Sequence, residues 1–392
     1  MFTRRDIAST DESAYSVTAS LIQATRVAEQ YFAADIEREP AISVLNKTLS
    51  ITTTISTTSS FARLYQQASS RPDLQHLIQI GEGLQGAIFE QVGKTLVIKK
   101  ESPENETRAS RLDKEYKSHT HISLAFQTFE PLVESGVFVP RPATMIPSTD
   151  LSFWNENLGK FPPDYQIPTT VVKMERILPI PKVGRKALIA HFYPWAQSSI
   201  DEEVVQKILS AQPNKHCLVR IYLGRKTCEF DSDNFSLRNF PLCLDAMKNI
   251  GVKVEALARS MGKAYAIVHW GACYNGDDVE FVFGTLLSEA HLEQTFQSRA
   301  VRLCLLDFGQ CELVNMERDA EMVYMSFHGA MVLGDNQWFI PHCHRDPDLF
   351  NHFRAGYIDA GNIILHQKGW ASKFNMNDFM TGYEEYTEDF LV

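Results

Sequence analysis

The spacing of apolar positions along this chain predicts a strand-rich segment followed by a helix-rich one. Residues 74–175 contain mainly the short apolar runs typical of strands, with one helix predicted around Arg111 to His119. Further along, apolar side chains recur at helical spacing and predict a long core helix that ends at His269; they are Val254, Leu257, Ala258, Met261, Tyr265 and Val268. Asp346-Pro347 is a suitable N-cap and first-turn pair for another core helix. The whole pattern predicts an α+β fold with two lobes.

The same pattern divides the chain into three segments. They are residues 1–75, an N-terminal extension; residues 76–175, an N-terminal lobe; and residues 176–392, a C-terminal lobe. The extension is predicted to be helical from Ala14 to Glu37, and its Ser/Thr-rich run 48–54 is predicted to be a loop or an exposed strand. Residues 140–168 are rich in proline, asparagine and aromatic residues, which predicts an inserted loop near the cleft between the lobes.

Charge and cysteine content argue against several classes of protein. The chain has 392 residues and a formal net charge of -10, which disfavours DNA binding because counterion release requires clustered lysine and arginine. Its seven cysteines include no Cys-x-x-Cys pair, which argues against a disulfide framework and against a common zinc site. No apolar run is typical of a signal peptide or a membrane span, so we expect a cytoplasmic protein without a membrane partner.

A glycine-rich segment follows an apolar run in the predicted N-terminal lobe. In Gly81-Glu82-Gly83-Leu84-Gln85-Gly86, backbone N–H groups can approach a phosphate without obstruction by side chains. Lys99 ends the run Leu96-Val97-Ile98-Lys99 and could neutralise charge there, and Glu115 falls where a helix carboxylate could pair with Lys99. The order of these features is similar to the N-terminal lobe of protein kinases. A simple glycine-rich hairpin remains the alternative.

A second segment carries another kinase motif but lacks the kinase base. The predicted strand 303–306 ends in Asp307-Phe308-Gly309, with which protein kinases hold magnesium against ATP phosphates. In kinases the catalytic Asp and the metal-binding Asn lie two and seven residues past a histidine, and here those positions after His269 are Gly271 and Gly276. This argues against phosphoryl transfer by the usual route. His269 is then either a general base or a ring that pins the loop, and both roles remain open.

Carboxylates are predicted to converge on the cleft. Asp278, Glu280, Asp307 and Glu175 lie near the ends of predicted strands and could hold either Mg²⁺ or a guanidinium group. Because the asparagine partner of the kinase metal site is missing, the sequence favours recognition of an organic cation over metal binding.

Several segments together resemble the arginine-containing cyclodipeptide synthases: 174–179, 217–224, 235–240, His269-Trp270, 278–284 and 306–308. The resemblance covers roughly residues 75 to 360. It implies a two-lobed, protein-kinase-like fold with a degenerate catalytic loop. It also implies an enzyme of specialised metabolism that takes arginyl-tRNA and a second aminoacyl-tRNA and joins their amino acids as a cyclic dipeptide. Aminoacyl esters are already activated, so no cofactor is required, although Mg²⁺ is compatible with the cleft.

The resemblance and the residue types together suggest roles. We expect His269 to transfer protons, and Asp278, Glu280 and Asp307 to bind the arginine guanidinium or amine. Substrate contacts are also expected from Glu175, Lys99, Glu115, Gly81, Gly83 and Gly86. Since an acidic protein must localise its positive charge to receive tRNA, Arg220, Arg225 and Arg238 are the predicted tRNA contacts. A pseudokinase-like binding protein and an atypical small-molecule kinase remain alternatives.

Overall fold

The computed structural model describes residues 29–58, 71, 74–83, 85–102, 111–194, 200–287 and 296–390. These residues form two β-sheets and their helices, and each sheet has its own cluster of buried apolar side chains. The predicted α+β class is therefore confirmed. Residues 14–28 of the predicted N-terminal helix lie outside the described residues, whereas residues 29–32 form a strand and residues 33–36 a short helix.

Twelve strands occur in the described part of the chain: β1 (Glu29–Phe32), β2 (Thr53–Thr58), β3 (Leu77–Gly83), β4 (Gly86–Gln91), β5 (Leu96–Glu101), β6 (Val137–Phe138), β7 (Pro142–Ile146), β8 (Val171–Glu175), β9 (Val219–Tyr222), β10 (Phe240–Cys243), β11 (Glu280–Leu287) and β12 (Phe296–Leu306). The α-helices are α1 (Ala33–Ile36), α2 (Ala41–Thr48), α3 (Arg111–Val133), α4 (Leu151–Asn157), α5 (Lys182–Phe192), α6 (Glu202–Ser210), α7 (Leu244–Asn249), α8 (Val254–Ala266), α9 (Ala320–Val332), α10 (Asn336–Phe339), α11 (Pro347–Gln367) and α12 (Met376–Phe390).

The smaller sheet has five antiparallel strands in the order β3-β4-β5-β8-β7. Its core consists of Leu77, Ala87, Phe89, Ile146, Trp154, Phe161 and Val171. Three of these residues belong to the stretch 140–168, which was predicted to be an inserted loop. That prediction was wrong: the stretch supplies β7 and α4, Phe161 packs against Phe89, and Trp154 packs against Phe161. Burial of these aromatic rings stabilises the segment against the sheet.

The larger sheet has the order β1-β2-β12-β11-β9-β10, and β6 pairs with β12. Strand β2 overlaps the Ser/Thr-rich run that was predicted to be a loop or an exposed strand, yet Thr53, Thr54, Ile55 and Ser56 are buried. The reason is that β2 lies between β1 and β12, so both of its edges are hydrogen-bonded. Residues 29–32 and 53–58 of the predicted N-terminal extension thus belong to the larger sheet.

Two long helices pack together behind the larger sheet, as the apolar spacing predicted. Helix α8 and the turn after it bury the predicted positions, and α11 is capped by Asp346, whose carboxylate accepts a hydrogen bond from the backbone N–H of Leu349. A π-helical turn, Ile267–Gly271, extends α8 and contains His269. Cys228 and Cys243 form a disulfide, which the cysteine pattern did not predict. Among the described helices, none combines the length and the apolar character that a membrane crossing would need.

Candidate functional site

Three of the predicted carboxylates meet at one end of the β11–β12 hairpin. Glu280, the first residue of β11, pairs with Leu306, the last residue of β12. Because the strands are antiparallel, Asp278 just before β11 and Asp307 just after β12 lie at the same edge. Asp307, Asp278 and Glu280 interact electrostatically there. The structure therefore forms the acidic cluster that the sequence predicted, with Glu175 as the exception described below.

Two of these carboxylates stand on unusual backbone conformations. Asp278 has φ 56° and Asp307 has φ 63°, both in the left-handed region. Aspartate tolerates this region better than most residues, but such a conformation still costs about 1 kcal/mol or more. Conformations of this kind persist where the surrounding structure holds them, and they concentrate at functional sites. The backbone thus turns both carboxylates out of the strand direction at the sheet edge.

Arg220 lies inside this cluster. Its strand β9 pairs with β11, with Arg220 opposite Val282, and its guanidinium ion-pairs with Glu280 and, at 3.1 Å, with Asp335 Oδ2. Because two carboxylates engage its charge, the predicted role of Arg220 as a tRNA contact stays a prediction that this geometry does not favour. Asp335 was missed by sequence reasoning. It precedes the four-residue helix α10 in a turn-like Gly-Asp-Asn stretch, which carries no sequence signal for a site.

The other two arginines of the predicted tRNA patch contact different elements. The guanidinium of Arg225 lies 5.6 Å from the ring centroid of Trp338 on α10. Arg238 donates to the backbone carbonyl of Glu82 in the β3–β4 hairpin, at 3.2 Å. Their role in tRNA binding stays a prediction.

The acidic cluster raises the pKa of its members. Burial raises the pKa of Asp278 to about 6, with Asp307, Asp277 and Asp335 acting in the same direction and Arg220 opposing them. Burial also raises the pKa of Glu280 to about 7, against the effect of Arg220. Within the described part of the chain, Asp278 and Asp307 form no ion pair, in contrast to Glu280. The cluster therefore presents two carboxylates that are available to a cation.

We expect Asp278→Asn to stabilise the fold at neutral pH. The pKa of Asp278 is higher in the folded than in the unfolded protein, so its protonation favours folding, and this contribution is lost as pH rises through about 6. Removing the charge should raise the free energy of unfolding by about 1 kcal/mol at pH 7.5, after allowance for solvent screening of a half-buried side chain. The gain should vanish between about pH 6 and pH 4. Thermal unfolding across this pH range tests the expectation, with exposed Glu385→Gln as the control; equal Tm values at pH 7.5 would contradict it.

Lys99 and Glu115 form the ion pair that the sequence predicted. Lys99 Nζ lies 2.6 Å from both carboxylate oxygens of Glu115, and both side chains are buried. Burial opposes the charge of Lys99, but Glu115 and Asp307 outweigh it and raise the pKa of the lysine. Ser118, one turn along α3 from Glu115, donates to the carbonyl of Phe308 at 2.7 Å. These contacts tie α3 and β5 to the segment that contains Asp307.

The glycine-rich segment forms the β3–β4 hairpin, which sits on the Asp307 segment. Gly83 pairs with Gly86, and Gly86 has φ 152° with the carbonyl of Lys100 where a Cβ would lie, so only glycine fits. The side chain of Gln85 at the hairpin packs so closely on Gly309 that any Cβ there would overlap it. Gly81 contacts Ile88, and no atom lies near the Cβ position of Gly83. The hairpin therefore lies against Gly309, two residues past Asp307, from the side of the smaller sheet.

Glu175 does not share the contacts of the cluster. It ends β8, and its carboxylate accepts from the backbone N–H of Arg141 at 3.2 Å and from Arg141 Nε at 3.4 Å. Its predicted role in substrate binding remains a prediction, with Arg141 as its partner in this structure.

His269 is placed in the core rather than at the cleft. It is fully buried, its Nδ1 lies 2.8 Å from the hydroxyl of Tyr357, and its Nε2 lies 3.1 Å from the carbonyl of Asn275. The ring stacks on Phe327 at 4.3 Å, and burial lowers the pKa of His269 to about 3. Both ring nitrogens are hydrogen-bonded, so these contacts favour the structural role in which the ring pins the loop, one of the two roles that the sequence left open. Proton transfer by His269 stays a prediction that this geometry does not favour.

No protein-family model matches the chain, and no curated protein shows significant similarity to it. In the described residues, no group of three or more His, Cys, Asp and Glu side chains is arranged to hold a metal ion.

Proposed function

We propose that this protein is a tRNA-dependent cyclodipeptide synthase of protein-kinase-like fold, which joins arginine from arginyl-tRNA to a second aminoacyl group. The observation that carries the proposal is the acidic cluster, in which Asp278 and Asp307 are open to a cationic substrate beside the buried Lys99–Glu115 pair. A guanidinium group is a cation that a carboxylate can bind through paired, charge-assisted hydrogen bonds. The second amino acid is not assigned.

Features of the smaller sheet support a kinase-like N-terminal lobe. Five antiparallel strands are joined in the order first-second-third-fifth-fourth, and the long helix α3 follows the third strand. A lysine on that strand pairs with a glutamate on that helix, as in protein kinases. Asp307 follows β12 below the glycine-rich hairpin, where kinases place their metal-binding aspartate.

The phosphoryl-transfer parts of such a site are replaced here. Gly271 and Gly276 occupy the positions of the catalytic aspartate and its asparagine partner, and Gln85 packs on Gly309 under the hairpin. A reaction between aminoacyl esters does not need those parts, because the ester is already activated. What it needs is recognition of the side chain, positioning of two esters and removal of a proton from an ammonium group.

The proposed reaction forms two amide bonds and releases two tRNAs. The amine of one aminoacyl group attacks the ester carbonyl of the other, an amide forms, and the ribose oxygen of one tRNA leaves and is protonated. The amine of the dipeptidyl ester then attacks its own ester carbonyl, which closes the ring and releases the second tRNA in the same way. Each step transfers one proton from the attacking nitrogen to the leaving oxygen, so no oxidant or reductant is consumed.

We assign the proton transfer to Asp278 and the guanidinium contact to Asp307. A carboxyl group with a pKa of about 6 can accept a proton from an ammonium near neutral pH and return it to a leaving alkoxide. Asp307 forms no ion pair within the described part of the chain and directly follows β12, so it is the carboxylate that we assign to the substrate. Burial raises the pKa of the Cys273 thiol, against the effect of Lys368, so a cysteinyl intermediate is not part of the proposal.

The experiment that tests the proposal is mass spectrometry of the small molecules made by cells that express the protein. We expect a cyclic dipeptide whose mass shifts when the cells receive isotopically labelled arginine. The purified protein should form the same product from charged tRNAs without ATP. Cells expressing Asp307→Asn serve as the matched control. The absence of an arginine-containing cyclic dipeptide from both assays of the unaltered protein would overturn the proposal.

A pseudokinase-like nucleotide-binding protein is the second candidate. The intact Lys99–Glu115 pair favours it, because this is the part of a kinase site that contacts ATP phosphates. Such a protein would bind ATP with an affinity that Lys99→Ala abolishes, and it would form no cyclic dipeptide. Consumption of ATP would instead identify an atypical kinase.

A further inference from the structure

A basic pocket lies beside α10, whose Trp338 is one of its lining residues. It has a volume of about 310 Å³ and is lined by Leu223, Gly224, Arg225, Lys226, Thr227, Leu244, Trp338, His342, Arg345 and Asp346. We name it the Arg225 pocket. Of these residues, four are arginine, lysine or histidine and one is acidic, which makes the pocket unlike the acidic surface expected of a chain with a net charge of -10.

Backbone hydrogen bonds fix the chain segment that contains Arg225 and Lys226. The carbonyl of Arg225 accepts from the N–H of Leu244 at 2.9 Å, and the carbonyl of Lys226 accepts from the N–H of Asp245 at 3.0 Å. Both residues are exposed, so their backbone is fixed while their charged groups remain in solvent. The Cys228–Cys243 disulfide closes the same segment onto β10. A fixed backbone reduces the entropy that a ligand must overcome on binding.

His342 contributes an unused hydrogen-bond donor. Its Nδ1 accepts from the backbone N–H of His344 at 3.1 Å, so the proton of the neutral ring lies on Nε2. Nε2 is shielded from solvent and has no hydrogen-bond partner in the described structure. A buried donor without an acceptor is costly, and an oxyanion in the pocket would satisfy it.

The one carboxylate of the pocket is already engaged. Asp346 caps α11 through the N–H of Leu349 at 3.3 Å and forms an ion pair with Lys248 at 2.8 Å. It therefore opposes an incoming anion less than an unpaired carboxylate would. Arg225 and Lys226 are left as the exposed positive charges at the pocket, and such a pair is typical of phosphate sites.

Helix α10 connects the pocket to the acidic cluster. Asp335 just before this helix ion-pairs with Arg220, which also binds Glu280, whereas Trp338 in the same helix lies against Arg225. Asp335 and Trp338 are three positions apart, so about one helical turn separates the residue that contacts the cluster from the residue that lines the pocket. A ligand that binds at both the acidic cluster and the Arg225 pocket would need a positive group at the carboxylates and a negative group at the pocket.

We propose that the Arg225 pocket binds a phosphate of the single-stranded 3′ end of the substrate tRNA, next to its aminoacyl group. This proposal rests on the proposed function, and it extends that function to a defined contact. Aminoacyl-tRNA has the required arrangement, because a cationic arginyl group ends a chain of phosphates. Phosphate contacts of this kind position the nucleic acid without reading its sequence.

The test compares the double variant Arg225→Ala/Lys226→Ala with Lys207→Ala/Lys253→Ala, which removes two exposed lysines elsewhere. Binding of uncharged tRNA is measured by fluorescence anisotropy at several salt concentrations. We expect the pocket variant to bind about 10- to 100-fold more weakly, since each lost charged contact costs about tenfold. Its affinity should also depend less steeply on salt, by a slope change of about 1 to 2. The control variant should bind like the unaltered protein.

A shortened tRNA without its single-stranded 3′ end completes the design. If the pocket binds that end, the shortened tRNA and the pocket variant should each lower the affinity. The two changes combined should lower the affinity no more than either change alone. Additive effects, or a pocket variant with unchanged affinity, would overturn the inference while leaving the synthase proposal intact. Stabilisation by inorganic phosphate in a protein that does not bind tRNA would also overturn it. A pocket variant that forms no cyclic dipeptide but binds tRNA with unaltered affinity would also contradict the proposed phosphate contact.

Discussion

Asp307→Asn should lose most arginine-containing product while the protein remains folded. The exchange keeps the shape of the side chain and removes its charge. Asparagine also tolerates the left-handed backbone at this position, φ 63°, so little strain is added. Removing one partner of a buried charge pair costs about 2–5 kcal/mol, which corresponds to roughly 30-fold to several thousand-fold in the use of arginyl-tRNA. The measurement is kcat/KM for arginyl-tRNA with the purified variant.

Two comparisons separate charge recognition from a general defect. Asp307→Glu retains the charge on a longer side chain and should keep more activity than Asp307→Asn, and Glu385→Gln on the exposed surface of α12 should be fully active. Thermal unfolding shows whether each variant is folded. A folded Asp307→Asn variant with a normal yield and unchanged selectivity for arginine would refute the assignment of Asp307 as the guanidinium contact.

Local sequence patterns were sufficient to predict several parts of this structure. The helical spacing from Val254 to Val268 and the cap at Asp346 predicted α8 and α11, because helix periodicity and capping depend on nearby residues. The Lys99–Glu115 pair was predictable for a different reason. Lys99 lies in a recognisable strand and Glu115 near the start of the helix that follows it, and the structure places their charged atoms 2.6 Å apart.

Contacts between distant segments could not be predicted in the same way. Arg220 was expected on the surface, but pairing of β9 with β11 brings it beside Glu280, 60 residues away, and the turn before α10 adds Asp335. The Thr53–Thr58 segment has a polar sequence typical of exposed chain, yet the edges of β1 and β12 enclose it. In both cases tertiary packing decides the environment, and the residue type alone carries no signal for it.

The environment of His269, a candidate general base, also could not be predicted from the sequence. The sequence placed it correctly at the end of α8, but it did not reveal which way the ring points. The π-helical turn directs the ring into the core, between Phe327 and the hydroxyl of Tyr357. The proposed function therefore assigns proton transfer to Asp278 at the sheet edge.

We expect His269→Ala to act mainly on stability. The substitution removes a stacked ring and leaves both the Tyr357 hydroxyl and the Asn275 carbonyl without this partner. Loss of a buried ring of this size should lower the free energy of unfolding by about 3 kcal/mol. Measured at a temperature at which the variant is folded, its kcat per folded molecule should stay near that of the unaltered protein.

Tyr357→Phe provides the matched test of the same network. The Tyr357 hydroxyl is shared by His269 and by the indole N–H of Trp270 at 2.9 Å, so its removal should destabilise the protein by about 1–3 kcal/mol without touching the imidazole. If His269 is structural, both variants lose stability and both retain kcat when folded. A folded His269→Ala variant whose kcat is reduced by about 10²–10⁴-fold, beside a fully active Tyr357→Phe variant, would instead establish His269 as the proton-transfer group. That outcome would require the buried imidazole to reach the substrate during turnover, because among the described residues its two nitrogens hydrogen-bond to the Tyr357 hydroxyl and the Asn275 carbonyl.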